Sequence, residues 1–117
     1  MPLLTLVTNL PKAQIPATFY SKAQAVVADV LNKPLSIHVQ ADEWLELKGS
    51  AAPGALATFQ IIGLADEMRG PLAKRLTEVV LSELKVESDR FYFIFNVIKA
   101  EDVATNGVLL SEQWKSA

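Results

Sequence analysis

The sequence contains no cysteine and only one histidine, His38, and both shortages narrow its chemistry. Without thiols the chain has no disulfide, no thiolate zinc site, no Cys-x-x-Cys redox centre and no cysteine nucleophile. Serine–histidine catalysis or an imidazole metal site would depend on His38 alone. Because His38 lies in an alternating apolar–polar segment, we interpret it as a strand residue. We expect no metal and no cofactor, and no Gly-x-Gly-x-x-Gly or P-loop pattern indicates a nucleotide site.

Long hydrophobic runs and an excess of one charge are also missing. Lys and Arg total 11 against 13 Asp and Glu, for a net charge of −2. This balance predicts neither a nucleic acid nor an anionic membrane as partner. No apolar run approaches the roughly 20 residues that span a bilayer, and the start of the chain lacks the basic and apolar regions of a signal peptide. We expect a cytoplasmic protein, or one secreted without a signal peptide.

What is present is a strand–helix–strand pattern that occurs twice. The predicted elements are a strand over 3–8, a helix over 16–32, a strand over 35–40, a short edge strand within 41–54, a strand over 55–62, a helix beginning at Gly70-Pro71, and a strand over 90–98. Asn106-Gly107 predicts a turn, and Val108–Leu110 one more short strand. The 117 residues therefore predict a single domain over 1–117, with pseudo-repeats of about 2–48 and 54–98 and a C-terminal tail over 99–117.

Two such units predict an α/β (α+β) fold, a four-stranded mixed sheet with both helices on one face. Within each unit the strands are parallel and the crossover is right-handed. The other sheet face is left bare, and we expect it to be apolar. A bare apolar face of that size predicts an oligomer or a partner that covers it. The alternative is a monomer whose tail covers part of the face.

Pro2 is the residue with the most distinctive chemistry. Initiator methionine is commonly removed before a small residue such as proline, which would leave a secondary amine at the start of a buried strand. A free α-amino group titrates near about 7.7–8.0, and burial beside Leu4 and Ile62 disfavours its charged form. The sequence then predicts a rigid base suited to neutral pH. The alternative is that Pro2 only begins an edge strand, where proline is tolerated.

Several short motifs, taken in order, resemble the macrophage migration inhibitory factor family, which includes D-dopachrome tautomerase and belongs to the tautomerase superfamily. The motifs are Pro2, Thr8-Asn9-Leu10-Pro11, Asn32-Lys33-Pro34, Gly49-Ser50-Ala51-Ala52-Pro53, Ile62-Gly63 and Ser88-Asp89-Arg90-Phe91-Tyr92. The similarity extends from Pro2 to about Phe95, with a shortening near Leu35. It implies a homotrimer of double β-α-β units whose sheets form a central barrel.

The resemblance also implies an activity and the residues for it. Pro2 would be the catalytic base of a cofactor-independent keto–enol tautomerase acting on a small aromatic α-keto acid such as phenylpyruvate, or on a dopachrome-type substrate. Lys33 would bind the substrate carboxylate and Ile62 would line the pocket. Tyr92 from a neighbouring subunit would close the aromatic side, and Ile94 would line the pocket where the family often has asparagine.

The departures from the family pattern leave other functions open. Ile94 removes a hydrogen-bond donor, Gly54 and Ala57 stand where some members carry a Cys-x-x-Cys motif, and the usual Gly-Trp-Asn pattern of the tail is absent. A second hypothesis is therefore a weakly active or inactive trimer that acts as a cytokine-like module on an unknown protein partner. A third is another reaction of the superfamily. If Met1 is retained, the Pro2 nitrogen is an amide without useful basicity.

Overall fold

The computed structural model describes residues 2–115. Met1, whose removal decides the chemistry at Pro2, lies outside the described residues, as do tail residues Ser116 and Ala117. The elements are β1 (Leu3–Thr8), α1 (Thr18–Leu31), β2 (Ser36–Gln40), β3 (Ala55–Ile62), α2 (Asp66–Leu84), β4 (Phe91–Ile98), β5 (Ala104–Thr105), β6 (Val108–Leu109) and α3 (Leu110–Lys115). Across residues 2–115, no helix is both long enough and apolar enough to cross a membrane.

The main sheet has four strands in the order β2-β1-β3-β4. β1 pairs with β2 in parallel and β3 pairs with β4 in parallel, while the two central strands, β1 and β3, run antiparallel. Each parallel pair is joined by one helix, as parallel strands require a crossover connection. The predicted pair of β-α-β units and the mixed four-stranded sheet are therefore confirmed.

The core lies between the sheet and the two helices. Strand residues alternate between buried and partly exposed, so that Leu4, Leu6, Ala57 and Phe59 are almost fully buried. The apolar stripes of the helices meet them: α1 buries Phe19, Ala23, Val26 and Val27, and α2 buries Leu72, Leu76, Val80 and Leu84. Phe93 and Phe95 on β4 pack around Phe59 with ring centroids 6.2 Å from it. Both helices thus cover one sheet face, as predicted.

The opposite face of the sheet, called the open face here, is less apolar than expected. Leu3, Val7, Leu56, Tyr92 and Ile94 share it with a polar band; the band comprises Thr5, His38, Thr58, Gln60 and Asn96, and the Asn96 amide donates to Gln60 Oε1 at 3.0 Å. The expectation of a uniformly apolar face is wrong, because it rested on the last strand alone. The face nevertheless carries no Asp, Glu, Lys or Arg at these positions.

Two local predictions differ from the structure. α2 begins at Asp66 rather than at Gly70-Pro71, so Pro71 lies inside the helix and Asp66 and Glu67 form its first turn. Acidic side chains there interact favourably with the partial positive charge of the helix N-terminus. The short edge strand expected within 41–54 is reduced to an isolated bridge between Leu47 and Ser50.

The C-terminal tail folds mostly on itself. β5 and β6 form a hairpin around Asn106-Gly107, as the turn signal predicts, and the Gln113 amide of α3 donates to the Thr105 and Val108 carbonyls. The helix α3 itself was not predicted. Tyr92 and Ile94 on the open face remain 44% and 50% exposed. The tail therefore leaves Tyr92 and Ile94 uncovered within one chain.

Candidate active site

Pro2 occupies the position from which β1 enters the centre of the sheet. It is among the most fully buried residues of the chain, and its carbonyl accepts a hydrogen bond from the Ser36 N–H at 3.0 Å. Leu3, the next residue, pairs with Ser36 on one side and Gln60 on the other. The ring of Pro2 is thus enclosed between the start of β2 and the end of β3, in agreement with the predicted buried position.

Lys33 lies in the four-residue loop 32–35, which joins α1 to β2 at the same end of the sheet. The helix ends at Asn32, which adopts a left-handed conformation with φ 55°. The side chain of Lys33 is exposed, and among residues 2–115 no carboxylate pairs with it. The Lys33 ammonium is therefore not neutralised by a carboxylate. Lys33 precedes Ser36 by three residues, and the Ser36 N–H donates to the Pro2 carbonyl.

Ile62 is the last residue of β3, lies at this same end of the sheet and is half-buried. β3 runs antiparallel to β1, so its last residues flank the first residues of β1. Pro2, Lys33 and Ile62 are therefore brought to one end of the sheet by three different elements. The arrangement combines a buried proline, a free cation and an apolar side chain.

Tyr92 and Ile94 are not part of this group within one chain. Tyr92 pairs with Leu56 near the start of β4, whereas Ile62 pairs with Ile98 at its end. Six residues of strand separate the two levels, or about 20 Å at roughly 3.3 Å per residue. Ile94 is nearer, at the level of Thr58, but still about 13 Å along the strand from Ile62. Both project onto the open face, where they are available to another molecule.

Two clefts of the protomer lie at the other end of the sheet from Pro2. The first, of about 510 Å³, is lined by Asn9, Leu10, Pro11, Gln14, Glu43, Trp44, Leu45, Glu46, Ala51 and Pro53. The second, of about 420 Å³, is lined by Lys12, Ile15, Val39, Gln40, Ala41 and Asp42. Neither contains a residue of the predicted site. Nor do residues 2–115 hold a cluster of three or more His, Asp or Glu that could bind a metal.

Two polar residues of α1, Tyr20 and Gln24, contact the loop that carries Lys33, and sequence reasoning missed them. The Tyr20 hydroxyl donates to the Leu35 carbonyl at 2.7 Å, and Gln24 Oε1 accepts from the Leu35 N–H at 2.5 Å. Their spacing of four residues places them on the same side of the helix. The four-residue spacing of these polar residues is visible in the sequence, but the interpretation of α1 considered only its apolar stripe.

Comparison with known proteins decides the family. The model of the macrophage migration inhibitory factor (MIF) family matches residues 1–111. The chain belongs to this family. It is 35% identical over 111 residues to a macrophage migration inhibitory factor homolog of Brugia malayi, covering 92% of this chain and 96% of that protein. A homolog of Trichinella spiralis is 31% identical over 111 residues, covering 92% and 97%.

Solved MIF structures agree with the fold. The macrophage migration inhibitory factor of Trichinella spiralis superposes with a TM-score of 0.84 at 28% identity, covering 92% of this chain and 98% of that one. The homologue from Prochlorococcus marinus gives a TM-score of 0.83 at 18% identity, covering 92% and 98%, and supports the fold alone. Membership of the family, and with it of the tautomerase superfamily, supports an isomerase-type activity and self-association at a general level.

Proposed function

We propose that this MIF-family chain is a cofactor-independent keto–enol tautomerase that acts on a small aromatic α-keto acid of the phenylpyruvate type, with a dopachrome-type compound as the other substrate candidate. The observation that carries the proposal is the burial of Pro2 at the sheet end where Lys33 and Ile62 also lie. Membership of the family supports the reaction class.

The chemistry proposed for Pro2 is proton transfer. Once Met1 is removed, the nitrogen of Pro2 is a secondary amine, and burial disfavours its protonated form. The neutral amine takes a proton from the carbon next to the substrate carbonyl, and the electron pair of that C–H bond moves to form the enolate. The protonated Pro2 nitrogen then gives this proton to the enolate oxygen, which yields the enol and restores the neutral amine. The reverse steps return the keto form. No electron acceptor is required.

Lys33 and Ile62 supply binding in this proposal. The Lys33 ammonium has no carboxylate partner among residues 2–115, so a substrate carboxylate does not have to displace one. Ile62 offers an apolar wall and its backbone N–H. Where water is excluded from the Pro2 amine, the Lys33 ammonium interacts more strongly with the negative charge that develops on the substrate.

A homotrimer would complete the site. Tyr92 and Ile94 are about 20 Å and about 13 Å along β4 from the level of Ile62, so they reach a pocket only if that pocket belongs to another copy. The open face that carries them has no Asp, Glu, Lys or Arg at its strand positions. Burying this face avoids the large cost of burying an acidic or basic side chain, but its polar band would need hydrogen-bond partners within the interface.

The proposal is tested by intact mass followed by an assay. Mass spectrometry shows whether Met1 is removed, and phenylpyruvate tautomerisation is then compared between the wild type and Pro2→Gly. Pro11→Gly, at the other end of the sheet, is the matched control. We expect turnover by the processed wild type and Pro11→Gly and a large loss in Pro2→Gly. Full activity in Pro2→Gly, or none in the processed wild type, would remove the proposal.

A second candidate function is a protein-binding, cytokine-like module with little or no catalysis. It is favoured by Ile94, which is half exposed and cannot donate a hydrogen bond to a substrate. This function would be supported if the processed, trimeric protein is inactive toward phenylpyruvate and binds one protein specifically in a pull-down. For localisation, the proposal remains the cytoplasm or export without a signal peptide, which cell fractionation tests.

A further inference from the structure

We propose that Gln24 and Tyr20 are positioning residues that hold Lys33 for the substrate carboxylate and thereby make the site selective for free acids. This inference rests on the function proposed above, since it concerns the same cation. It adds two residues of α1 that the sequence did not indicate. In this proposal neither Gln24 nor Tyr20 touches the substrate.

The first contact is made by the Gln24 amide, which binds on both sides of Pro34. Its Oε1 accepts the Leu35 N–H at 2.5 Å, and its Nε2 donates to the carbonyl of Lys33 at 3.3 Å. One side chain therefore ties the backbone of Lys33 to the backbone that follows it. Because α1 is packed into the core through Ala23 and Val27, the amide has a fixed support.

The second contact is made by Tyr20. Its hydroxyl donates to the Leu35 carbonyl at 2.7 Å, so both backbone polar groups of Leu35 are bound by side chains of α1 instead of by a neighbouring strand. The Leu35 side chain is 3% exposed and anchors the loop in the core. The next residue, Ser36, donates its N–H to Pro2. A continuous series of hydrogen bonds thus joins α1, the Lys33 loop and Pro2.

The consequence is a fixed backbone beneath a flexible side chain. The exposed ammonium of Lys33 has to be ordered when it binds an anion, and ordering costs conformational entropy. A loop that is already held leaves only the side chain to be ordered, which lowers the cost of binding. Loss of Gln24 or of the Tyr20 hydroxyl should weaken carboxylate binding while the proton transfer at Pro2 continues.

The experiment compares phenylpyruvate with its methyl ester, which keeps the ring and the keto group but has no carboxylate. KM and kcat are measured for both compounds with wild type, Gln24→Ala, Tyr20→Phe and Lys33→Ala. Ser21→Ala is the control, because its hydroxyl bonds to Thr18 within α1 and does not touch the loop. Hydrogen exchange of the Leu35 amide is followed in the same proteins.

We expect Gln24→Ala and Tyr20→Phe to raise KM for phenylpyruvate about three- to tenfold, the factor that corresponds to one ordinary hydrogen bond. KM for the ester should remain that of the wild type, the effect on the acid should fall on KM rather than on kcat, and the Leu35 amide should exchange faster. Ser21→Ala should match the wild type in every measurement.

Three results would overturn the inference, and they are distinguishable. If Lys33→Ala raises KM for the acid but Gln24→Ala and Tyr20→Phe do not, or raise it equally for acid and ester, the proposed function survives and the positioning role is wrong. If the processed wild type turns over neither compound, the proposed function is wrong. If the wild type is active but Lys33→Ala leaves KM for the acid unchanged, the lysine site is wrong. The inference falls in both cases.

Discussion

Glu83 on α2 accepts a hydrogen bond from the Thr18 hydroxyl on α1 at 2.6 Å, and Lys22 Nζ lies 3.3 Å from the same carboxylate oxygen. The bond from Thr18 lowers the pKa of Glu83 below its usual 4.5, opposed by partial desolvation and assisted by Lys22. The carboxylate thus joins the two helices.

The lowered pKa of Glu83 predicts a pH-dependent contribution to stability. Since the folded value lies below the unfolded one, the contribution is present above the unfolded pKa and is lost as the pH falls through the folded pKa. Glu83→Gln should therefore lower Tm at pH 7, and the difference from the wild type should shrink as the pH falls through the folded pKa of Glu83. Thermal unfolding over that range measures it, with Glu78→Gln, exposed on the same helix, as the control. A Tm difference that does not change with pH would contradict the prediction.

Arg90 forms hydrogen bonds with the segment between β2 and β3. Its guanidinium donates to the carbonyls of Leu47 at 2.7 Å, Ser50 at 2.9 Å, Ala52 at 2.6 Å and Pro53 at 3.3 Å. Arg90→Ala removes all four of these charged hydrogen bonds. The Leu47, Ser50 and Ala52 carbonyls keep a second donor, whereas the Pro53 carbonyl does not. We expect the free energy of unfolding to fall by about 2 kcal/mol. Arg90→Lys should recover only part of it, because lysine lacks the planar fork. Urea denaturation checks this, with exposed Lys74→Ala as the control; equal stability of Arg90→Ala and wild type would refute it.

Thr8 is the one polar residue in the core of residues 2–115, and its hydroxyl has two partners. It donates to the Gly54 carbonyl at 2.7 Å and accepts the Leu10 N–H at 3.2 Å. Thr8→Val keeps the shape but leaves both backbone groups unpaired, at an expected cost of about 1–3 kcal/mol. Thr5→Val on the half-buried open face is the control, and denaturant unfolding is the measurement. A Thr8→Val protein as stable as the Thr5→Val protein would show that the two bonds contribute little.

The separation of Pro2 from Tyr92 predicts complementation between damaged subunits. Pro2→Gly chains retain Tyr92, and Tyr92→Ala chains retain Pro2, so each alone lacks one half of every proposed pocket. When the two are unfolded together and refolded, some interfaces combine an intact Pro2 with an intact Tyr92. We expect phenylpyruvate turnover well above that of either parent. Activity in the mixture equal to the mean of the parents would mean that no site is shared between chains.

The elements that sequence reasoning located well are those with strong local periodicity. β3 was predicted over 55–62 and is found at Ala55–Ile62, because its alternation and the following Gly63 define both ends. The end of α1 was also predicted, since Pro34 disfavours helical geometry in the residue before it. The order of the elements, together with the right-handed crossover rule, was sufficient for the two units of the sheet.

The two segments that were mispredicted depend on side-chain hydrogen bonds, which are distant in sequence in segment 41–54 and lie within the tail for α3. In segment 41–54, carbonyls that an edge strand would offer to a neighbour are bound by side chains of Asn9 and Arg90 instead. α3 has only six residues, too few to form on local propensity alone, and Gln113 holds it against the hairpin. The Asn9 and Arg90 hydrogen bonds join residues at least 36 apart in sequence, so no local pattern reports them.

For the candidate site, the family resemblance supplied Pro2, Lys33, Ile62, Tyr92 and Ile94, and the structure gathers the first three at one end of the sheet. Their roles remain predictions. The supporting pair Tyr20 and Gln24 could not be found from the resemblance, because their importance lies in the geometry of the loop they hold.

The placement of Tyr92 at the end of the sheet remote from Pro2 has a kinetic consequence for the proposed enzyme. Each chain would contribute the Pro2 amine to one pocket and the Tyr92 ring to another, so isolated subunits would be inactive. Specific activity should then fall when the protein is diluted past the point at which its subunits separate, and return on concentration. Under mass action, the amount of the protein in its compartment would itself set whether it turns over substrate.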